Sequence, residues 1–374
     1  MAVHNAAVLR RATFVLAFTL VVSLVWRGVA VQAQATDVFA PSEITSSMLK
    51  AARWQIAHPN HAANDWTNGA FYAGVFAASE TTKDPGLMDA MVAMGESVHW
   101  QPGPRIDHAD EIAIAQTYID LYRVKQDPKM LQPTVAHVAA MRATVPGREA
   151  QAHGITWWWC DALFMGPPTL AKLGVTLNDT AYFTMSDRLF RETYDLLFAK
   201  DEHLFFRDAT YLPATGKREA NGRHVFWSRG NGWVAGGLVR LLQELPATWP
   251  TRPFYVSLYK EMMARVITLQ QPDGLWRSSL LDPASYPGGE ASGSGFYTYA
   301  LAWGINNGLL DRATYGPAVR KAWTGLHTLI QPDGHVGWVQ PIGQDPRKDF
   351  SPESWEVYGT GAYLLAGAEV IKLK

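Results

Sequence analysis

The sequence predicts an all-α protein, an (α/α)6 toroid (or barrel) of six helical hairpins in a single domain. Three observations predict it: polar or Gly-rich stretches that run into apolar helices, charged amphipathic segments between them, and Pro-Asp-Gly turns at equivalent positions. Repetition with a long period is a signal at the level of the whole fold. A linear helical solenoid is the structural alternative, but it gives no reason for polar residues to gather where the apolar helices begin.

Six predicted inner helices begin at polar or charged residues that are 45, 51, 68, 63 and 64 residues apart. Their starts lie near Asp65, Asp110, Asp161, Arg229, Ser292 and Glu356. Each helix is apolar nearly all round and contains Gly and Ala, as a helix packed on every side requires. The segments between them, such as 180–200 and 251–271, are predicted surface helices with one buried stripe.

Two loops with strong turn signals, PDGLW (272–276) and PDGHVGW (332–338), each connect an outer helix to the next inner one. Pro and Gly at these positions favour tight turns. If outer and inner helices alternate around a closed ring, the N-terminal ends of the inner helices surround one cavity. Residues far apart in sequence then converge there.

The N-terminal segment differs from the rest of the chain. Two arginines precede an apolar run over 12–26, and Ala-Gln-Ala at 33–35 has the small-x-small form of a cleavage site. We therefore predict a signal peptide over 1–35, a catalytic domain over 36–374 and a secreted or periplasmic location. An uncleaved membrane anchor is the alternative, but the run is short and Arg27 interrupts it. After cleavage, no membrane association is expected.

The composition limits the possible partners. The formal net charge is -1, without the concentrated basic surface that phosphate binding needs, so a nucleic-acid partner is not expected. The 15 Trp residues suit the apolar faces of sugar rings, although a large helical domain also buries many aromatic side chains. The partner is therefore expected to be a small oligosaccharide, and the protein is expected to be a monomer.

No cofactor or metal is expected. The sequence has no GxGxxG after a strand, no Walker loop and no HExxH. His108 and Asp110 lack a third ligand at a suitable spacing. Cys160 is the single cysteine, which excludes an internal disulfide, and it is predicted to be a buried structural thiol.

The predicted pocket combines tryptophans, carboxylates and one arginine. Its members are Asp65, Trp66, His108, Asp110, Trp159, Asp161, Trp227, Arg229, Trp233 and Ser292, with His153 as a further candidate in a Gly-containing loop. Tryptophan rings would stack on sugar rings, and the arginine would hold a carboxylate bidentately. The set therefore indicates a site for an acidic sugar.

Each of these residues also has a structural interpretation. The three aspartates are favoured helix N-caps. Arg229 would equally serve in a structural ion pair, and Trp233 would equally belong to the core. His108 is more readily explained as a support for the site than as a catalyst, and His153 would equally face solvent.

Five strings carry a resemblance to a known family. They are HADEIAIAQTYIDLY (108–122), WWWCDALFMGPPTLAKLG (157–174), LFFRD (204–208), VFWSRGNGWVAGGL (225–238) and SGSGFYTYALAWGI (292–305). From about Ser42 to Leu373 the chain resembles glycoside hydrolase family 105, the unsaturated rhamnogalacturonyl hydrolases, which are related to the unsaturated glucuronyl hydrolases of family 88. The resemblance implies the same (α/α)6 barrel.

The resemblance also implies roles for individual residues. Asp161 matches the general acid/base, and Asp110 matches a second acid that supports it. Substrate-holding positions are matched by Trp159, Trp227, Arg229 and Trp233. Arg207 stands where some members carry His, which is consistent with a subfamily difference that affects the substrate.

The implied reaction is hydrolysis of an unsaturated uronide left by polysaccharide lyases, of which unsaturated rhamnogalacturonan disaccharide from pectin is the expected example. Protonation at C4 of its vinyl ether and hydration at C5 would need one principal acid/base. Two alternatives stay open. One is an inverting glycosidase that uses Asp110 and Asp161 on a saturated sugar, and the other is a non-catalytic sugar-binding protein of the same fold.

Overall fold

The computed structural model describes residues 37–373, so the predicted signal peptide lies outside the described residues. Fourteen α-helices make up most of these residues. They are α1 (Pro41–Ala57), α2 (Trp66–Thr82), α3 (Pro85–Ser97), α4 (Ala115–Lys125), α5 (Gln132–Thr144), α6 (Arg148–His153), α7 (Ala162–Met165), α8 (Pro167–Leu177), α9 (Thr180–Leu197), α10 (Ser228–Glu244), α11 (Arg252–Ile267), α12 (Ala291–Asn306), α13 (Arg312–His327) and α14 (Val357–Val370). Two short antiparallel strands, β1 (Phe198–Ala199) and β2 (Leu204–Phe205), follow α9, with Phe198 opposite Phe205.

The helices form six hairpins whose inner members make a closed ring. The inner helices are α2, α4, α7 with α8, α10, α12 and α14, and each packs against the next. The last, α14, returns to pack against α2. This closure confirms the predicted (α/α)6 toroid, and the linear solenoid is wrong because its two ends would not meet.

Inner and outer helices differ in burial as the sequence predicts. In α10, every residue from Ser228 to Leu242 is buried. In α9, an outer helix, buried side chains such as Phe183, Leu189 and Phe190 recur on one stripe. Removing apolar surface from water stabilises a fold by roughly 25 cal/mol per Å², so the inner helices dominate the packing energy of the ring.

The ring closes through glycines. A Cβ atom on Gly74 of α2 would lie 2.4 Å from the carbonyl oxygen of Gly361 in α14. A Cβ atom on Gly361 would in turn lie 2.4 Å from the carbonyl oxygen of Ala70. The two backbones therefore touch directly, which only glycine permits.

The two Pro-Asp-Gly loops lie between α11 and α12 and between α13 and α14, as predicted. Gly274 and Gly334 have φ values of +89° and +116°, a region that favours glycine. Each glycine N–H donates to a glutamine carbonyl three residues earlier, at 2.9 Å in both loops. The same turn thus redirects the chain from an outer to an inner helix twice.

Two predicted inner helices begin differently from the expectation. The helix expected at Asp161 is divided into α7 and α8 because Pro167 and Pro168 lack the N–H groups that a continuous helix needs. The helix expected at Asp110 begins as a 3-10 turn, Ala109–Ile112, and becomes α-helical at Ala115. Across residues 37–373, no helix has the length and apolar character needed to cross a membrane.

Candidate active site

The structure gathers two groups of predicted residues at the N-terminal ends of the inner helices. The acidic group consists of His108, Asp110, Trp159, Asp161 and Arg207. The aromatic group consists of the predicted Trp66, Trp227, Arg229 and Trp233 together with Tyr358, which the sequence analysis did not single out. Asp161 belongs to the first group, and the positive charge of Arg229 in the second group acts to lower its pKa.

Asp161 is a buried carboxyl whose side-chain oxygens have few close polar contacts. Its side chain is 11 % exposed, and Oδ2 lies 3.9 Å from Arg207 Nε. The thiol of Cys160 donates to the same oxygen at 3.4 Å. Although Asp161 occupies the N-cap position of α7, its side chain makes no capping hydrogen bond. Burial raises the pKa of Asp161, and the charges of Arg207 and Arg229 oppose the rise without cancelling it.

Asp110 is a second buried carboxyl, with 16 % of its side chain exposed. Burial raises its pKa to about 8; Arg105 opposes this rise, and the negative charge of Asp161 adds to it. The nearest guanidinium nitrogen of Arg105 is 4.0 Å from Oδ2, too far for a hydrogen bond. Burial thus favours the protonated form of Asp110, and the N-cap interpretation is wrong for this residue because His108 caps the turn.

His108 is held as a neutral ring. Its Nδ1 accepts the backbone N–H of Asp110 at 3.3 Å, and its ring lies 4.3 Å from that of Trp159. Burial, together with the smaller effects of the charges of Arg105, Arg207 and His153, lowers the pKa of His108 to about 3. A histidine that stays neutral cannot supply a proton near pH 7, so this geometry favours the supporting role.

Local backbone pairing explains why Arg207 lies beside Asp161. Trp159 pairs with Asp208 in an isolated antiparallel bridge, and the N–H of Cys160 donates to the carbonyl of Arg207 at 2.8 Å. The Arg207 side chain, 15 % exposed, donates from Nη1 to Asp208 Oδ2 at 2.7 Å. Its Nε is buried, has no hydrogen-bond partner among the described residues and lies 3.9 Å from Asp161 Oδ2.

Trp158 is a member of the site that the sequence analysis did not single out. Its ring stacks on His153 at 4.0 Å and lies 5.1 Å from that of Trp159. The indole N–H donates to Glu149 Oε2 at 2.9 Å. The signal was present in the run of three tryptophans at 157–159. His153 is exposed on the outer side of this stack.

Arg229 lies between two aromatic rings and anchors a loop. Its guanidinium carbon is 4.5 Å from the centre of the Trp227 ring and 4.7 Å from that of Tyr358. Nη1 donates to the carbonyl of Gln340 at 2.5 Å, and Nη2 donates to that of Pro341 at 2.8 Å. Arg229 is only 1 % exposed. Its predicted contact with a substrate carboxylate stays a prediction, since both terminal nitrogens already serve the loop.

The remaining aromatic residues of the site pack against one another. Trp66 stacks on Tyr358 at 5.7 Å and meets Trp233 edge-on at 6.1 Å. Trp233 has no exposed surface and packs against Phe164 and Phe296 at 5.0 and 4.5 Å. This arrangement favours the core interpretation of Trp233.

Two predicted pocket residues use their polar atoms at helix ends. Asp65 caps α2, accepting from the N–H and the hydroxyl of Thr67 at 2.9 and 2.6 Å. Ser292 is fully buried and donates to Glu290 Oε1 at 2.6 Å. The structural interpretation therefore accounts for both, and Ser292 has no surface to offer to a substrate.

Within residues 37–373, no group of three or more His, Cys, Asp or Glu side chains is arranged to hold a metal ion. Catalysis without a metal stays a prediction, because the carboxyl chemistry described here does not itself test for one.

Comparisons with known proteins agree with the geometry. The sequence profile of Glycosyl Hydrolase Family 88 matches residues 42–374. A protein of Formosa agariphila named unsaturated 3S-rhamnoglycuronyl hydrolase is 46 % identical over 346 residues, covering 89 % of this chain and 92 % of that protein. A solved structure named glycosyl hydrolase family 88 from Bacteroides vulgatus is 28 % identical, with a TM-score of 0.82, and covers 89 % of this chain and 100 % of its own. Another, named a polysaccharide lyase, is 31 % identical, with a TM-score of 0.81, and covers 88 % of this chain and 97 % of its own.

Proposed function

The chain belongs to glycosyl hydrolase family 88, and we propose that it releases an unsaturated uronic acid from a rhamnose-containing oligosaccharide by hydrating the C4=C5 double bond. It is a glycoside hydrolase that acts on unsaturated uronic acid oligosaccharides. One observation carries the proposed chemistry. Two buried carboxyls, Asp161 and Asp110, have raised pKa values beside a cation that is only partly paired.

The proposed reaction begins with proton transfer from Asp161 to C4. The double bond is a vinyl ether, so protonation at C4 leaves an oxocarbenium-like cation at C5. The Asp161 carboxylate then takes a proton from water as the water oxygen bonds to C5. The resulting hemiketal opens to a ketone, and C1, now a hemiacetal carbon, releases the partner sugar. A single carboxyl thus acts first as acid and then as base.

The environment of Asp161 supports this role. An acid near neutral pH needs a pKa raised above that of an ordinary carboxyl, and burial supplies this effect. The raised pKa of Asp110 favours its protonated form, which limits the negative charge that the pair places in the buried site. We assign to Asp110 the role of supporting Asp161.

Arg207 is the residue best placed to meet the carboxylate of the substrate. Its Nε is buried, has no hydrogen-bond partner among the described residues and lies 3.9 Å from Oδ2 of the proposed acid, Asp161. An arginine edge matches a carboxylate in geometry and charge. The neighbouring rings of Trp158 and Trp159 suit the faces of the sugar.

The partner sugar is the less determined part of the substrate. The relative named above acts on a rhamnoglycuronyl compound, whereas the sequence analysis predicted a rhamnogalacturonan disaccharide. Glucuronic and galacturonic acid differ only in configuration at C4, and the C4=C5 double bond removes that difference. The unsaturated residue is therefore the same in both substrates, and linkage, partner sugar and substituents distinguish them. We propose a rhamnose partner in either case.

Cellular location and oligomeric state form part of the same proposal. The basic pair and apolar run of residues 10–26, followed by Ala-Gln-Ala, support a cleaved signal peptide and a secreted or periplasmic protein. A small oligosaccharide needs one toroid to bind it, which supports a monomer. Sequencing the N-terminus of the exported protein tests the cleavage after residue 35.

The test of the proposed function is a parallel assay of ultraviolet absorbance and sugar release. The substrates are unsaturated uronyl-rhamnose disaccharides of both linkages, with the saturated disaccharide and the intact polysaccharide as comparisons. We expect absorbance of the double bond to fall in step with rhamnose release, and solvent deuterium to appear at C4.

Other outcomes identify other functions. Rhamnose release while the double bond persists indicates water attack at the anomeric carbon, as in a conventional glycosidase. Absorbance that rises with intact polysaccharide indicates a lyase, the activity in the name of one structural relative. Binding without turnover indicates a sugar-binding protein.

A further inference from the structure

One short helix beside the candidate active site, α6, lies outside the packed core, since none of its six residues is buried. A helix of this length is not stable by itself, so its contacts with the rest of the chain hold it in place. The backbone N–H of Glu149 donates to Asp107 Oδ2 at 3.1 Å, and the Glu149 carboxylate accepts the indole N–H of Trp158 at 2.9 Å. The ring of His153 stacks on the same indole at 4.0 Å. Two of the three contacts are therefore made to Trp158.

Trp158 in turn contacts Arg207, the residue proposed to meet the substrate carboxylate. The central carbon of the Arg207 guanidinium lies over the Trp158 ring, 5.3 Å from the ring centre. This distance is within the range of a cation–π interaction. The other restraint on the guanidinium is the hydrogen bond from Nη1 to Asp208 Oδ2 at 2.7 Å. A long arginine side chain has many rotamers, so the direction of this guanidinium depends on where the Trp158 ring lies.

The Glu149 carboxylate fixes the orientation of the Trp158 ring. An indole has a single polar group, its N–H donor, and Glu149 Oε2 is the acceptor of that donor. The Glu149 side chain is only 15 % exposed, and a hydrogen bond to a carboxylate is stronger than one between neutral groups. The nearest nitrogen of His153 is 4.0 Å away, too far for a hydrogen bond. The indole is therefore the main side-chain partner of this carboxylate.

We propose that Glu149 is a positioning residue, which acts through Trp158 to hold the Arg207 guanidinium where it meets the substrate carboxylate. The inference rests on the proposed function, because that function assigns the substrate carboxylate to Arg207. The negative charge of Glu149 by itself opposes the binding of an anionic substrate. A substitution that removes this charge and nevertheless weakens binding therefore reports the position of the ring and the guanidinium, and not electrostatics at a distance.

The test compares two substitutions of Glu149 by steady-state kinetics on the unsaturated disaccharide. Glu149→Ala removes both the charge and the acceptor, whereas Glu149→Gln removes the charge but keeps an oxygen that accepts the indole N–H. We expect Glu149→Ala to raise KM roughly 10-fold, the usual effect of losing a charge-assisted hydrogen bond, while kcat stays close to that of wild type. Glu149→Gln should restore most of the loss. Gln151→Ala, at an exposed position of the same helix, is the control and should behave like wild type.

A double-variant cycle tests the path through Trp158. Trp158→Phe keeps a ring beside Arg207 but has no N–H for Glu149, so it should raise KM about as much as Glu149→Ala does. If Glu149 acts through this indole, the double variant should be no worse than either single variant. Because no residue of α6 is buried, the Glu149 variants should also keep the free energy of unfolding of wild type, which urea unfolding measures.

Three outcomes would overturn the inference. They are a KM that Glu149→Ala leaves unchanged or lowers, a Glu149→Gln protein as impaired as Glu149→Ala, and additive effects of Glu149→Ala and Trp158→Phe. Failure of the proposed function is seen separately. Arg207→Gln with the KM of wild type would remove Arg207 from the substrate carboxylate, and Asp161→Asn with the kcat of wild type would contradict the proposed acid, whatever the Glu149 variants show.

Discussion

Buried carboxylates occur at both ends of this toroid, but their pKa values move in opposite directions. At the catalytic end, burial raises the pKa of Asp110 to about 8. At the other end burial also acts on Glu244, but Lys172 and Arg123 outweigh it and lower the pKa to about 2. Burial is common to both ends. The number of cations in direct contact decides the direction of the shift. A buried carboxyl without such contacts has a raised pKa, whereas one bonded to several cations has a lowered pKa and stabilises the fold.

The distances show how this difference arises. Glu244 accepts three hydrogen bonds from Lys172 and Arg123, all between 2.9 and 3.0 Å. The nearest guanidinium nitrogens to Asp110 and Asp161 lie at 4.0 and 3.9 Å. At these separations, beyond hydrogen-bond length, the cations stabilise the charged forms of Asp110 and Asp161 only weakly. The same fold therefore raises the pKa values of carboxyls at one end and lowers that of Glu244 at the other.

The largest expected effect concerns the acid itself. Asp161→Asn nearly preserves shape but removes the transferable proton, so folding and sugar binding should persist while kcat falls by about 10²–10⁴-fold or more. Asp110→Asn should lose less activity if Asp110 only supports Asp161. Steady-state kinetics on the unsaturated disaccharide measure both variants. Equal losses would indicate a pair acting together, as in an inverting glycosidase.

At the opposite end, substitution of Glu244 should change the free energy of unfolding and leave kcat unchanged. Glu244→Gln breaks a buried charge network and should lower the free energy of unfolding by about 3 kcal/mol at neutral pH. Because the folded pKa of Glu244 is lowered, its stabilisation is present above pH 4.5 and is lost as the pH falls towards 2. Urea unfolding at several pH values measures this.

Two controls accompany the Glu244 variant. Glu80→Gln, in an exposed pair with Lys83, should leave stability nearly unchanged. The kcat of folded Glu244→Gln should equal that of wild type. A large fall in kcat without loss of stability would mean that the two ends are not independent.

A smaller effect is expected at the aromatic wall. Arg229→Lys keeps the charge, but an ammonium cannot replace a planar guanidinium between two rings and two carbonyls. We expect kcat/KM to fall about 10-fold, through weaker substrate use. Arg188→Lys, at an exposed ion pair, is the matched control. Unchanged kinetics in a folded Arg229→Lys protein would remove this residue from the site.

The smallest expected effect is the pH dependence of stability that arises from Asp110, which should be opposite in sign to that of Glu244. The folded pKa of Asp110 lies above its unfolded value, so its contribution to stability is full below pH 3.8 and is lost as the pH rises through about 8. Asp110→Asn does not titrate and should therefore stabilise the protein by about 1–2 kcal/mol above pH 8. Asp89→Asn, at an exposed position, should change nothing. Destabilisation by Asp110→Asn at that pH would contradict the raised pKa.

The sequence predicted the catalytic end better than the opposite end. Polar residues such as Asp110 and Asp161 precede apolar helices, and a ring brings helix starts together, so repetition alone indicated the site. The contact of Arg229 with Gln340 was not predictable, because it joins positions 111 residues apart through an irregular loop. Asp120 and Lys172 are charged residues in the middle of α4 and α8, and sequence patterns suggest solvent for such residues. Only the closed ring shows that they are buried.

Ring closure through Gly74 and Gly361 requires α14, the last helix of the chain. A chain made from its N-terminus contains Asp110 and Asp161 long before it contains Tyr358, whose helix must enter between α2 and α12. Until then both neighbours expose apolar faces, and Arg229 lacks one of its two rings. A chain without its final helix therefore lacks both the Tyr358 ring beside Arg229 and the glycine contact that closes the ring.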